Sequence, residues 1–164
     1  MVVRRGTMNS KITLMSGAIY IDAPRDPKVK ALYDYWNGLR GDRAMPARGD
    51  LDPAAIPKLL PNIFMYDVQG DGRYRIRLVG QEVVEFVGCN GTGAAAGSTM
   101  PPFAAELIVK ILDRVTRERT PRFRAGQAHW NPDKDHRYFE ACFLPLSADG
   151  ENVNIVLGGV SFPG

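Results

Sequence analysis

Cysteine is scarce in this chain: only Cys89 and Cys142 occur among 164 residues. That excludes a disulfide scaffold and a four-cysteine metal site, and a reduced, cytoplasmic setting is the expectation. Histidine is as scarce, with His129 and His136 alone. Neither these nor the cysteines form a pair at the short spacing of a zinc site, so no metal is expected. No apolar run approaches the ~20 residues that span a bilayer, and no membrane association is expected. The stretch 12–21 follows Arg4, Arg5 and Lys11 much as a secretory leader would, but Ser16 and Gly17 interrupt it and no small-x-small site follows. An aromatic share of 9%, with 17 Gly and 12 Pro, excludes coiled coil, collagen and wholesale disorder. What remains is one globular domain, or one domain with an extension.

A strong charge of one sign is also missing. The net charge is +3, with 21 Lys+Arg against 18 Asp+Glu. Residues 1–48 hold nine basic and four acidic residues, so the rest of the chain is slightly acidic. A nucleic-acid binder gathers its basic residues on one face of a recognisable module. The nearest pattern is Arg73, Arg75 and Arg77 at period two, which reads better as a solvated strand face or as ion pairs with a neighbouring strand. Nucleic acid is not an expected partner.

Along the chain, residues 1–26 read as an N-terminal arm, either an extra strand or a segment docked on a neighbour. Residues 27–164 read as the domain proper. Val29, Leu32, Tyr33, Trp36 and Leu39 recur at helical spacing over 27–40, with Pro27 suited to the first turn and Gly41 to the exit. This apolar face is either part of the fold or an oligomer contact. Asp52-Pro53 opens an expected short helix with Ile56, Leu59 and Leu60 on its buried side, ended by Pro61. Two strands at 62–68 and 73–79, joined across Gly70-Asp71-Gly72, read as a hairpin. A helical turn at 81–87 and a glycine-rich loop at 88–97 follow. A helix over 101–118 carries Leu107, Ile108, Ile111, Leu112 and Val115, and three strands at 122–130, 136–146 and 152–162 complete the order.

Two strands, a helical insert and three strands predict an α+β domain with a five-stranded antiparallel sheet. Phe139, Ala141 and Phe143 alternate with Tyr138, Cys142 and Leu144, so both faces of the sheet carry bulk and both need cover. The insert serves one face, and the N-terminal amphipathic helix or a partner's copy of it serves the other.

This arrangement, with Tyr35-Trp36, Leu39-Arg40-Gly41, Arg43, Pro46, Arg48, Asp50, Asp52-Pro53, Leu60-Pro61, the segment RYRIRLVG (73–80), Gly88, Thr92-Gly93 and Leu144-Pro145-Leu146, resembles a bacterial family of small, mostly stand-alone PAS-domain proteins. The resemblance covers about residues 27–162. It implies a non-catalytic sensory or regulatory module that binds a small ligand, a protein partner or both, with a homodimer as the expected assembly. Haem in such domains needs an axial ligand such as histidine, typically on the long helix facing the sheet, and helix 101–118 has no histidine. A flavin photosensor of this fold places its cysteine in an Asn-Cys-Arg-Phe type helix, whereas Cys89 stands in Gly-Cys-Asn-Gly. Neither haem nor flavin is expected.

Other chemistry is weaker still. Gly91-Thr92-Gly93 with Gly97 follows a helical turn and has no lysine, so it reads as a connector needing positive φ rather than a phosphate loop. Arg40, Arg43, Arg48, Asp50 and Asp52 read as a structural polar network. Inward strand and helix positions Tyr74, Ile76, Leu78, Ile108, Leu112, Phe139 and Phe143 are either core or the lining of a small-molecule pocket. The interface candidates are Val29, Leu32, Tyr33, Trp36 and Leu39, which would serve an adaptor that needs no ligand. A small enzyme using Tyr74 with Glu140 or Asp67 is the remaining alternative.

Overall fold

The computed structural model describes residues 19–128 and 137–163. Expectations placed on residues 1–18, on the strand ends at 129–130 and 136, and on the turn at Asn131-Pro132-Asp133 lie outside them. Six strands form one antiparallel sheet: β1 (Ile19–Ile21), β2 (Ile63–Gly70), β3 (Arg73–Val79), β4 (Arg122–Ala128), β5 (Arg137–Leu146) and β6 (Ile155–Ser161), in the spatial order β1-β4-β5-β6-β2-β3. The three-residue β1 adds to the five expected strands by pairing with β4 at the sheet edge. Among the described residues three helices accompany the sheet: α1 (Pro27–Arg40), α2 (Gln81–Val87) and α3 (Pro102–Glu118).

The sequence sets both ends of α1. Asp26 Oδ1 accepts from the free amides of Lys28 (2.8 Å) and Val29 (3.2 Å), and Pro27 takes the first turn, where no amide partner is needed. Gly41 leaves the helix at φ +56°, a conformation costly for other residues. Val29, Leu32 and Trp36 are buried against the chain's own sheet. Burying one such aliphatic side chain is worth about 1.5–3 kcal/mol. Of the two roles open to this face, the fold therefore takes these three residues, and they are not free for a partner subunit. Tyr33 is half-buried, stacked beside Trp36 and edge-on to Phe123 of β4 with ring centroids 5.1 Å apart. Leu39 is also half-buried.

Three polar ties seat α1, its N-terminal flank and α2. The Trp36 indole N–H donates to the Pro145 carbonyl at 2.9 Å. Glu140 on β5, 1% exposed, accepts from the amides of Arg25 (2.9 Å) and Asp26 (2.7 Å). Asn62 donates to the Glu82 carboxylate and the Val160 carbonyl, joining the start of β2 to α2 and β6. Each tie satisfies groups that would be expensive to bury alone.

The expected helix after Asp52 does not form. Asp52 does cap, accepting from the Ala54 amide at 3.0 Å, but only a short 3₁₀ turn, Pro53–Ala55, follows, and another spans Leu60–Asn62. Pro57 is the cause: it disfavours helical backbone at the residue before it, and Ile56 sits at φ −133°, ψ 47°.

β6 is buried along all seven residues and carries Gly158 and Gly159 at its centre. A Cβ on Gly158 would lie 1.9 Å from Phe64 Cε2, and one on Gly159 would lie 2.6 Å from Leu32 Cδ2. The pair therefore admits the Phe64 ring on one face and α1 on the other.

Trp36→Phe keeps a ring but removes the donor to Pro145 and some volume. It is expected to cost about 1–3 kcal/mol, seen as a lower urea midpoint at unchanged slope; an unchanged midpoint would show that the bond contributes nothing. Asp149 accepts from the amides of Glu151 (2.8 Å) and Asn152 (2.7 Å), from Ser147 and from the Asn152 side chain, which hold its carboxyl well below the ordinary 3.8. A depressed folded pKa gives stability that is complete above the unfolded value and is lost as pH falls through the folded one. Acidification below about pH 4 is thus expected to destabilise the wild type, and Asp149→Asn is expected to flatten part of that decline in thermal melts.

Candidate functional site

On the sheet face opposite α1, a partly open cavity of about 130 Å³ lies between the sheet and α2, the loop 88–101 and α3. Its floor is Phe64 and Tyr66 of β2, Ile76 and Val79 of β3, and Phe139, Ala141 and Phe143 of β5. The Phe64 ring meets Tyr66 and Phe143 edge-on, with centroids 5.7 and 5.5 Å away, which favours a fixed aromatic floor. Val83, Phe86 and Val87 of α2, Met100 of the loop, and Ala104, Leu107 and Ile108 of α3 form the walls. Polar character is confined to Arg124 of β4, Thr99, Cys89 and the Tyr66 hydroxyl.

The loop reaches this position through β3. The Gly93 amide donates to the Ile76 carbonyl (2.7 Å), the Ile76 amide to Ala94 (2.8 Å) and the Ala96 amide to Tyr74 (2.9 Å). Gly88, Gly93 and Gly97 all have positive φ, so the loop is the turning connector its composition indicates, without the strand-to-helix geometry of a phosphate loop.

Of the pocket candidates, Ile76, Ile108, Phe139 and Phe143 line the cavity. Leu112 is fully buried in the core beside the cavity rather than in its wall. Tyr74 is also buried outside the wall, and its hydroxyl donates to Asp113 of α3. Burial, with that carboxylate in second place, pushes its pKa up to about 12. Leu78 requires correction: it is 44% exposed. Pairing runs Met65 with Leu78 but Tyr66 with Ile76, leaving Arg77 as an extra residue in β3. This bulge reverses the inward parity, so Val79 lines the cavity in place of Leu78.

Arg75 and Arg77 take the ion-pair reading: both face Asp67 on the paired strand, at 4.0 and 3.0 Å. Tyr74 and Glu140 lie on opposite faces of the sheet, one bonded to α3 and the other to the approach to α1, so they form no acid/base pair. Cys142 is packed on the α1 side, where burial pushes its thiol up to about 12, while Cys89 is exposed at the cavity. The two thiols cannot share a metal, and no cluster of His, Cys, Asp and Glu suited to one occurs among the described residues. His129 and His136 lie outside those residues. A cavity of about 130 Å³ is close to the roughly 150 Å³ that holds a benzene ring.

The polar network forms around the exit of α1. Arg43 pairs with Asp50 at 3.0 Å and donates to the Leu39 carbonyl, while Asp50 accepts from the Ala47 amide at 2.9 Å. The amide contact and the Arg43 side chain both lower the Asp50 pKa. Arg40 donates to Asn37 and to the Arg43 carbonyl and lies over the Trp36 ring at 5.8 Å. Asp52 joins α1 through its amide, which donates to the Tyr35 hydroxyl at 2.9 Å. Arg48 is half-buried nearby, and its Nε has no hydrogen-bond partner.

Reading by residue pattern missed Phe64 and Tyr66, although both stand in the expected strand 62–68, and it missed Val83, Phe86 and Arg124. Period two along β4 marks Phe123 and Ala125 as one face and Arg124 as the other, a signal masked because an arginine at an inward position is read as outward.

The fold likeness agrees with this architecture. The PAS domain of BvgS from Bordetella pertussis is 19% identical, with 68% of this chain and 82% of that chain covered and a TM-score of 0.54, a likeness of fold alone. The PAS domain of histidine kinase ThkA is 19% identical over 61% of this chain and 98% of that one, with a TM-score of 0.44. The PAS domain of the fruit-fly ELK potassium channel is 8% identical over 66% and 91%, at 0.45. No curated protein matches the chain in sequence. Residues 25–161 match the model of the PAS domain family, a family of sensory and signalling modules, and the chain belongs to it.

Proposed function

We propose that this PAS domain is a sensory module that takes a small, largely apolar molecule into the cavity between the sheet and α2, the loop and α3. The observation that carries this reading is the cavity itself: about 130 Å³ of space with an aromatic floor and a short polar rim. Protein cores are close-packed and rarely leave such a space without use. The loop lines it with Cys89, Gly91, Thr99 and Met100, of which Gly91 adds no side chain to fill it. Val29, Leu32 and Trp36, which would serve an adaptor, are already occupied by the sheet, and this favours the ligand reading. The module acts by binding, with no catalytic step.

A thermal-shift screen of small apolar metabolites tests the reading. A ligand that binds only the folded state stabilises it by about 2.7 kcal/mol at one hundred times its Kd, so a concentration-dependent rise in Tm is expected. Leu107→Trp, which fills the cavity, is expected to abolish that rise. A screen with no such compound, or a rise that survives in Leu107→Trp, overturns the cavity as the sensing site.

A further inference from the structure

Arg124 is the one charged residue among the described residues that line the cavity. Its backbone is fixed in the sheet, opposite Ala141 on β5 and Tyr20 on β1. Its guanidinium lies over the Tyr20 ring at 5.6 Å, and Arg114 of α3 lies over the same ring at 4.9 Å. Two cations thus share one aromatic ring. The nearby carboxylate, Glu118, is engaged by Arg114 and Arg122. Among the described residues no Asp or Glu pairs with Arg124, and its buried Nε has no hydrogen-bond partner. Partial burial lowers its pKa, as expected for a cation that has lost part of its water and is given no anion.

A guanidinium in this state is a recognition group. Its planar fork matches a carboxylate with two parallel hydrogen bonds, and those bonds strengthen where water is excluded. The rest of the wall is hydrocarbon, so the remainder of the ligand must be apolar. The volume is close to that of an engineered cavity that holds benzene, which limits the body to about one six-membered ring or a chain of similar size.

We propose that the cavity takes a small amphipathic carboxylate, its head on Arg124 and its apolar body against Phe64, Leu107, Ile108 and Phe139. This rests on the cavity-binding reading above and adds the chemical class. The guanidinium supplies the missing anion site, and the Tyr20 stack holds it in place.

Calorimetric titration with benzoate and hexanoate, beside the neutral benzyl alcohol and 1-hexanol, tests it. The wild type is expected to bind each carboxylate at least about tenfold more tightly than its neutral counterpart. Arg124→Met, which keeps the aliphatic stem, is expected to lose that preference while still binding the alcohols, and Arg124→Lys to retain part of it. Equal binding of acid and alcohol by the wild type overturns the head-group assignment and leaves the cavity reading standing. The same holds for a preference that survives in a folded Arg124→Met. If none of the four probes binds, the carboxylate proposal falls, and the broader metabolite screen alone decides the cavity reading. The wild-type comparison needs no variant, so a misfolded Arg124→Met cannot shield the proposal.

Discussion

A sheet that is apolar on both faces must be covered on both, and this chain solves that problem within itself. Every residue of β6 is buried, and β5 alternates Phe139, Ala141 and Phe143 on one side with Glu140, Cys142 and Leu144 on the other. α1 covers the second side closely because Gly159 leaves room for Leu32 and because Cys142 is small. The cover on the first side is looser. α2 has only seven residues, and the loop after it lines the cavity with Cys89, Gly91, Thr99 and Met100. The difference between the two covers shows in the cavities they leave, about 130 Å³ on the first face against about 10 Å³ beside α1.

Buried polar groups decide how each cover is seated. Apolar burial has no direction, whereas Trp36 to Pro145, Glu140 to the amides of Arg25 and Asp26, and Tyr74 to Asp113 each have one geometry. Displacing α1 or α3 would strand a donor or acceptor in a poor dielectric, a cost larger than the bond's net contribution to stability. The motifs Tyr35-Trp36, Asp52-Pro53 and Leu144-Pro145-Leu146, far apart in the chain, meet through these contacts.

Much of this was legible in the residues. Asp26-Pro27 and Gly41 carry the ends of α1 in local chemistry, and the hairpin of β2 and β3 follows from alternation around Gly70-Asp71-Gly72. Bulk at both parities over 138–144 demands two covers, and both are present. The failures have local causes. Pro57 breaks a helix that apolar spacing favours. The bulge at Arg77 is a pairing property, set by which β2 residue faces which β3 residue, and no periodicity within β3 reveals it. The same bulge moved the inward position from Leu78 to Val79. Arg124 was hidden because hydropathy assigns arginine to solvent, while here strand parity prevails.

Gly158 and Gly159 carry a consequence for how the two faces communicate. Elsewhere the helices are separated by two layers of side chains with the backbone between them. At these adjacent positions both layers are missing, and the Phe64 ring and the Leu32 methyl press on bare peptide from opposite sides. The sheet is thin there, directly beneath the cavity floor. A shift of Phe64 has the thickness of a single peptide plane to cross before it is felt at α1, which makes that point a short steric route between the two faces.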